Sequence, residues 1–480
     1  MTASVERERS ATRPFGLLVT IFLVAELTPI FETTMMSTAL PTLMTAFDAD
    51  TATISWVITI FLLVGAGTAA IAGRLGDSYG RKRVLIVLMA ISALGSIVSI
   101  VAGNLTGVLI GRALQGTSAG LFPLLIGLAR EVAPPRRVSL LSSLTSGVSV
   151  VGGAFGAVLA GVLLEASGWH SMFVASAALS IVAIAFAIFL PRPVTTARGL
   201  AGIDVVGAIV MAPALAAILF GVTTARATGV TPAVVAFVAG GLVLFAFWIF
   251  WELRISQPMF NLRLFRQPSL VLALAATAFV SLGIMAGPAL LTPILQQSPT
   301  TLPVGLGLTP TQAGLFFLVG GLLSFALSPV AGRVAGRFGA RVVLLAGFVV
   351  GIVGYAGFLV CVHDLVLSTA AILLGSVGTA LIVVAVPLVI VEIVPPEDTS
   401  EAVALIYTVG RTIFSAVGTA IVGILLTSST VPDTTAPTLT AWYLGVGFVL
   451  ATGVLGLIVT LAIRKAVPLD RREQAVATTE

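Results

Sequence analysis

Uninterrupted apolar runs of about twenty residues recur along the whole chain and constrain it more than any other feature. A helix that crosses the hydrocarbon core of a bilayer needs about 20 mostly apolar residues, whereas strands of a membrane barrel alternate over about 10. The runs here are of the first kind, so the spans are helices. Composition agrees: 58% of residues are hydrophobic and 9% charged, where a soluble domain carries about 25% charge. A soluble enzyme, a disordered chain and a disulfide scaffold are excluded. Cys361 is the single cysteine, which rules out an internal disulfide and a cysteine-based metal cage. His170 and His363 fall at predicted span ends and offer no metal site.

Polar punctuation divides the runs into fourteen candidate spans: 15–40, 53–72, 84–102, 106–129, 138–163, 171–190, 203–222, 231–251, 270–295, 312–331, 342–361, 366–390, 402–427 and 440–463. The first follows Arg7, Arg9 and Arg13, as a signal peptide would. It is too long for a signal h-region and holds Glu26 and Glu32, so it reads as a retained membrane helix. An even count puts both termini on one side. Of the 25 Lys and Arg residues, the connections on the side of the termini hold all but three: Arg226 lies opposite, and Arg112 and Arg411 lie within spans. Basic residues are retained in cytoplasmic loops, so both ends are expected in the cytoplasm of a multi-pass cell-membrane protein. The net charge of +5 reflects this placement, not nucleic-acid binding.

The chain repeats itself. Gly73-Arg-Leu-Gly-Asp-Ser-Tyr-Gly-Arg-Lys82 follows the second span, and Gly332-Arg-Val-Ala-Gly-Arg-Phe-Gly-Ala-Arg341 follows the tenth. Both place Gly-Arg, an aromatic-Gly pair and a basic residue at one constant offset. Glu131-Val-Ala-Pro-Pro135 echoes Glu392-Ile-Val-Pro-Pro396 near the same offset. The alternative is convergence of short loops on Gly, Arg and Pro. Two echoes at nearly one offset instead imply two related six-helix halves, with spans seven and eight inserted between them. The expected organisation is a tail over 1–14, a six-helix bundle over 15–190, two extra helices with an amphipathic connector over 191–269, a second bundle over 270–463 and a tail over 464–480. Such repeats build secondary transporters, with the cargo site where the halves meet.

At this point the sequence resembles the major facilitator superfamily, and within it the fourteen-helix drug:proton antiporter-2 branch. The loop from Gly73 to Arg83 matches the superfamily's loop signature at nearly every position. Arg112-Ala-Leu-Gln115-Gly116 resembles its second signature. Glu32 to Pro41 resembles the branch's first-helix motif, with Glu where Asp is usual. Gly168-Trp169-His170 to Phe173 resembles the aromatic segment that opens span six. The fifth-span antiporter motif departs from the pattern: Ala157 stands for its proline and Ala160 for one glycine, within Gly152 to Gly161. The resemblance implies an all-α polytopic transporter of fourteen helices that exchanges small lipophilic cargo for protons without a cofactor. It implies that Arg112 tunes a neighbouring acid. It also implies that Gly73, Arg74, Asp77, Gly80 and Arg81 form a cytoplasmic gate, in which Asp77 caps a helix start in the other half.

The residues themselves say where chemistry is expensive. An ionised carboxylate at the centre of a lipid-embedded helix costs about 2.5–3.5 kcal/mol on insertion scales. Glu26 and Glu32 must therefore face a cavity, pair, or take up a proton. Six positions separate them by about 120° around a helix, so they do not form a close dyad. Pro29, between them, removes a backbone donor. Arg112, some seven residues into span four, needs a partner or water. For each of these groups the alternative is a purely structural pairing. Glu131 is a candidate partner for Arg81 or Arg74. Gln115 and Arg411 are candidate cavity residues. Gly152, Gly156 and Gly161 mark close helix packing, either static or sliding. No Gly-Lys-Ser/Thr phosphate loop is present, and no catalytic cluster, so energy must come from an ion gradient or from the cargo's own. Expected partners are lipophilic cargo, protons and lipid. The alternatives are a lipid or metabolite exporter, a proton-independent facilitator, or a membrane sensor without transport.

Overall fold

The computed structural model describes residues 14–49, 51–191, 204–229, 231–255, 258, 262–308, 310–395, 398–432, 434 and 436–463. Residues 1–13 and 464–480 of the two tails lie outside the described residues, as do Arg192, Arg198, Gly202, Met259 to Asn261 and Pro396. The described chain is helical, with an isolated bridge between Thr430 and Pro437.

In lipid a backbone must satisfy its own hydrogen bonds, and this favours long helices from these apolar runs. They are α1 (Phe15–Phe47), α2 (Thr51–Tyr79), α3 (Arg81–Ala102), α4 (Leu105–Gly116), α5 (Leu121–Val132), α6 (Pro135–Ser167), α7 (Trp169–Ile188), α8 (Val205–Thr228) and α9 (Pro232–Arg254). Then follow α10 (Pro268–Leu282), α11 (Gly287–Gln297), α12 (Pro310–Phe338), α13 (Ala340–Gly357), α14 (Leu365–Ile393), α15 (Thr399–Val403), α16 (Arg411–Thr427) and α17 (Leu439–Ala462). Local chemistry sets their ends. Asn104 accepts from Gly107 N at 2.8 Å and caps α4. Pro135 opens α6 where a missing N–H costs nothing.

Among the described residues ten helices are long and apolar enough to cross a membrane, or eleven if the bent α2 is one span. Predicted spans seven, nine and thirteen instead coincide with shorter apolar segments, Pro213–Val222, Pro268–Leu282 and Ile413–Thr427. Each has a visible interruption: Pro213 inside α8, the break between α10 and α11, and a π-helical turn over Ala404–Gly410 ahead of α16. The run through Pro29 is helical throughout.

The chain forms two compact units. The first takes Met1–Ala216, Phe245–Asn261 and Val394–Thr408; the second takes Ala217–Leu244, Leu262–Ile393 and Val409–Glu480. In the first, α3 packs on α4 and α7, and α1 lies along α6. A core of Phe31, Met35, Leu43, Val57, Trp169 and Phe173 joins these helices. In the second, α14 packs on α12 and α13, and α17 packs on α10.

The repeat reappears as geometry inside each unit. Gly80 (φ 95°) and Gly339 (φ 94°) turn the chain between consecutive helices in a conformation L side chains rarely adopt. Lys82 Nζ then donates to the carbonyls of Ile188 and Leu190 at 2.8 and 2.5 Å, at the end of α7. Its counterpart Arg341 donates to Thr460 O and Leu461 O at 3.2 and 2.6 Å, at the end of α17. In each unit a cation from the loop thus satisfies orphan carbonyls at a helix C-terminus. The copies diverge one residue earlier: Ala340 stands where Arg81 does, and its backbone N–H donates to buried Glu392 at 2.8 Å.

Candidate functional site

The first unit holds both carboxylates of the first span, and it holds them separately. Glu32 on α1 is fully buried. Its Oε1 accepts from Ser92 Oγ on α3 at 2.5 Å and from Ser176 Oγ on α7 at 2.8 Å. Its Oε2 accepts from Ser118 Oγ, in the 3-10 turn between α4 and α5, at 2.6 Å. Ser96 and Ser176 lie 3.0 Å apart, and Gln115 Nε2 donates to Ser96 at 2.7 Å and to Ser176 at 3.2 Å. A hydrogen bond to a charged group contributes about 1.5–3 kcal/mol, so three of them are of the size needed to offset burial of an ionised carboxylate.

Arg112 on α4 is also fully buried. It donates through Nε to Val57 O at 3.0 Å, and through Nη1 to Gln115 Oε1 and to the backbone carbonyl of Glu32, both at 2.9 Å. Its guanidinium lies 4.2 Å from the Phe61 ring centroid. Arg112 therefore reaches the backbone of Glu32 and, through Gln115, Ser176, one of the three serines that hold the carboxylate. The charges are neighbours without a direct ion pair among the described bonds.

Glu26, about 1.7 turns earlier, is 4% exposed and accepts from Ser149 Oγ on α6 at 2.7 Å. The pairing follows from how α1 and α6 run side by side. Arg137 lies over the Phe15 ring, Ser149 meets Glu26, Gly152 faces Leu27 and Ile30, and Gly156 faces Thr34. The partners advance together, so the helices are parallel. The glycines Gly152 and Gly156 act here as flat surface: a Cβ on Gly156 would stand 2.6 Å from Thr34 Oγ1. They pack against α1 within their own unit, and Gly161 is half-buried on the same helix.

The loop signature forms a second cluster. Arg81 is 2% exposed and bonds Asp77 through Nε at 2.9 Å and Nη2 at 2.6 Å. Its Nη1 meets Glu131 Oε1 at 2.5 Å and Gly127 O at 3.2 Å. Gly73 is buried and Arg74 half-buried beside it on α2. Next to Glu131, Arg130 donates to Val394 O at 2.9 Å and to Thr399 Oγ1 at 2.5 Å, where short α15 packs on α2 and α5. Arg411, in the second unit, opens α16 and is half-buried.

The four cage serines, Ser92, Ser96, Ser118 and Ser176, and the Ser149 partner were not predicted as site residues. A signal existed: Ser92, Ser96 and Ser99 recur at helical spacing in an otherwise apolar run, and a hydroxyl buried in such a run needs a partner.

The family model described as Major Facilitator Superfamily matches residues 22–205 and 270–479. The chain is 26% identical to the Multidrug resistance protein B homolog of Mycobacterium tuberculosis (strain CDC 1551 / Oshkosh), over 88% of this chain and 79% of that protein. It is 25% identical to the Tetracenomycin C resistance and export protein of Streptomyces glaucescens, over 87% of this chain and 76% of that protein. It is 26% identical to an uncharacterized MFS-type transporter, YhcA, of Bacillus subtilis (strain 168), over 72% of this chain but only 64% of YhcA's length. Among solved structures, the proton:xylose symporter XylE superposes with a TM-score of 0.65 at 13% identity, covering 95% of this chain and 98% of that one.

Proposed function

We propose that this chain, which belongs to the major facilitator superfamily, exports small lipophilic compounds in exchange for protons. As a member of that family it is a multi-pass membrane transporter and not an enzyme. The observation that carries the finer reading is Glu32: a carboxylate with no exposed surface, surrounded by hydroxyls from three other helical segments and by an arginine that stops at its backbone. Hydroxyls both donate and accept, so the same cage serves the ionised and the protonated acid, as a group that exchanges protons in each cycle requires. Glu26, with Ser149, is the second exchangeable site.

In this reading fourteen spans form two six-helix bundles, 15–190 and 270–463, and the segment 191–269 adds two helices between them. Both termini face the cytoplasm, as the placement of Lys and Arg supports. The Asp77–Arg81–Glu131 cluster and the Arg130 contact to Thr399 form a cytoplasmic gate that closes and opens as access alternates. The relatives described as resistance and export proteins support drug-like cargo. A monovalent lipophilic cation would meet Glu26, whereas a neutral compound needs only an apolar cavity.

The test uses purified protein in liposomes, a panel of lipophilic compounds and an imposed pH gradient. Gradient-dependent accumulation that falls in Glu32→Gln and in Glu26→Gln is expected. Equal uptake with and without the gradient removes proton coupling. The departure at Ala157 and Ala160 in the antiporter motif favours one second reading, a facilitator or metabolite exporter of the same fold. That reading predicts cargo flux in the absence of any pH gradient.

A further inference from the structure

We propose that a file of serine hydroxyls on α6 forms the path by which protons, carried on water, reach Glu26 from the cytoplasmic end of the helix. The proposal rests on the reading of Glu26 as a proton-exchanging acid and adds the route that supplies it. Ser139, Ser142, Ser146 and Ser149 succeed one another at intervals of three and four residues, within about 80° of arc at 100° per residue. The last of them donates to Glu26 Oε1 at 2.7 Å. The file starts one turn inside α6, just after Pro135, Arg136 and Arg137 at its entrance.

Hydrogen bonding separates Ser142 and Ser146 from the equally buried Ser143 and Thr145. Ser143 and Thr145, which flank the file by about 40° on either side, bond their own helix at Leu140 O and Leu141 O, both within 2.9 Å. Such back-bonding is the usual fate of a hydroxyl in an apolar helix. Ser142 and Ser146 depart from it. Both are fully buried, and neither hydroxyl has a protein partner among the described residues. A buried hydroxyl without a partner costs about 1–3 kcal/mol, which water removes by bonding it. The spacing suits one water per step: helix neighbours three or four apart stand about 5–6 Å apart, twice an O–H···O distance of about 2.8 Å. The charged groups on the helices packed against α6 have partners of their own: Glu32 on α1 with Ser92, Ser118 and Ser176, and on α5 Arg130 with Thr399 and Glu131 with Arg81.

The transfer balances without any further reactant. A proton from cytoplasmic hydronium passes to the first water of the file. Each hydroxyl then accepts one proton and releases another, and Ser149 delivers one to the Glu26 carboxylate. The net change is one water released from hydronium and one neutral carboxyl formed, with every serine restored.

The experiment follows Glu26 itself, so no cargo is needed. Full-length protein in detergent micelles is subjected to a rapid drop in pH. The growth of the protonated-carboxyl infrared band is recorded, and the Glu26 contribution is identified by its loss in Glu26→Gln. In Ser142→Ala/Ser146→Ala the band should reach its parental amplitude about tenfold more slowly, the rate effect of losing roughly one hydrogen bond from the relay. Ser142→Thr/Ser146→Thr, which keeps both hydroxyls, should restore the parental rate. If the alanine pair misfolds, Ser146→Ala alone is read in the same way. A Glu26 band that grows at the parental rate in the alanine variant overturns the file and leaves Glu26 as a coupling acid. A parent protein in which Glu26 contributes no titrating band overturns both.

Discussion

Replacing Ser118 by alanine tests whether the hydroxyl cage holds Glu32 as a charge. Ser118 donates to Oε2 at 2.6 Å, whereas Oε1 has two donors, Ser92 and Ser176. Glu32 has no exposed surface, so solvent does not replace the lost donor. A hydrogen bond to an ionised acceptor is worth about 1.5–3 kcal/mol and one to a neutral acceptor about 0.5–1.5. Ser118→Ala should therefore cost about 1.5–3 kcal/mol where Glu32 is ionised and about 0.5–1.5 where it is protonated. Ser92→Ala should cost less, because Oε1 keeps Ser176.

A double-mutant cycle of Ser118→Ala with Glu32→Gln isolates the charged part, since the amide keeps a neutral hydrogen bond. The expected coupling is the difference between the two classes of bond, about 1–1.5 kcal/mol. It should be present with Glu32 ionised and shrink toward zero as pH falls through the titration of Glu32. The assay is equilibrium unfolding in mixed micelles with increasing sodium dodecyl sulfate, followed by circular dichroism at neutral and acidic pH. Equal losses for Ser118→Ala and Ser92→Ala, with no coupling at neutral pH, would refute the reasoning, as would a coupling that grows on acidification.

Three further outcomes follow from other contacts. Arg81→Ala leaves Asp77 and Glu131 facing each other without their shared cation and should destabilise by about 3–5 kcal/mol, while Glu131→Gln should cost less in the same unfolding assay because Asp77 still holds Arg81. Gly156→Ala should cost about 1–3 kcal/mol through overpacking; Thr34→Ala should recover most of that loss, since Thr34 Oγ1 is the atom the new methyl meets. Lys82→Ala and Arg341→Ala should each cost about 0.3–1 kcal/mol, the worth of a cation at a helix C-terminus, and their near equality in thermal melts would reflect the shared role of the two loop copies.

What the sequence made legible was set by period and cost. Apolar runs of span length gave the helices, because a bilayer leaves a helical run little alternative. The loop echo gave the repeat, and the positive φ of Gly80 and Gly339 shows why glycine recurs there. Glu32, Glu26 and Arg112 stood out because charge in a greasy run is costly. Their partners stood out far less: Ser92, Ser96 and Ser99 recur at helical spacing, but a lone serine such as Ser118 or Ser176 in an apolar run is common. Which of Ser92, Ser99, Ser118, Ser176 and Ser180 meets Glu32 depends on the rotation of four helices about their axes, and a single sequence does not encode that as a pattern. The interruptions within these spans were missed for a related reason: hydropathy sums over the break between α10 and α11 and over the π-turn before Arg411, because the residues there remain apolar.

The position of Arg112 bears on why Glu32 can act as more than a structural anchor. A guanidinium set bidentate on a buried carboxylate fixes the ionised form, since removing that charge strands the cation. Arg112 instead spends its hydrogen bonds on Val57 O, Glu32 O and Gln115 Oε1, and rests on the Phe61 ring. Its bonds survive whether the Glu32 carboxyl is charged or neutral. What changes with a proton is the direction of a cage hydroxyl, and a reorientation of Ser176 is passed along to Ser96 and Gln115, and so to Arg112. On the proton-exchange reading, this route carries the protonation of α1 to α3, α4 and α7 without breaking an ion pair. Gln115 is its hinge, because among the described residues it alone bonds both the serines and the arginine. Gln115→Leu, which keeps bulk and removes both bonds, should therefore leave Glu32 able to titrate in the infrared assay while uncoupling cargo accumulation from the pH gradient. Full gradient-driven transport in that variant would place the coupling route elsewhere.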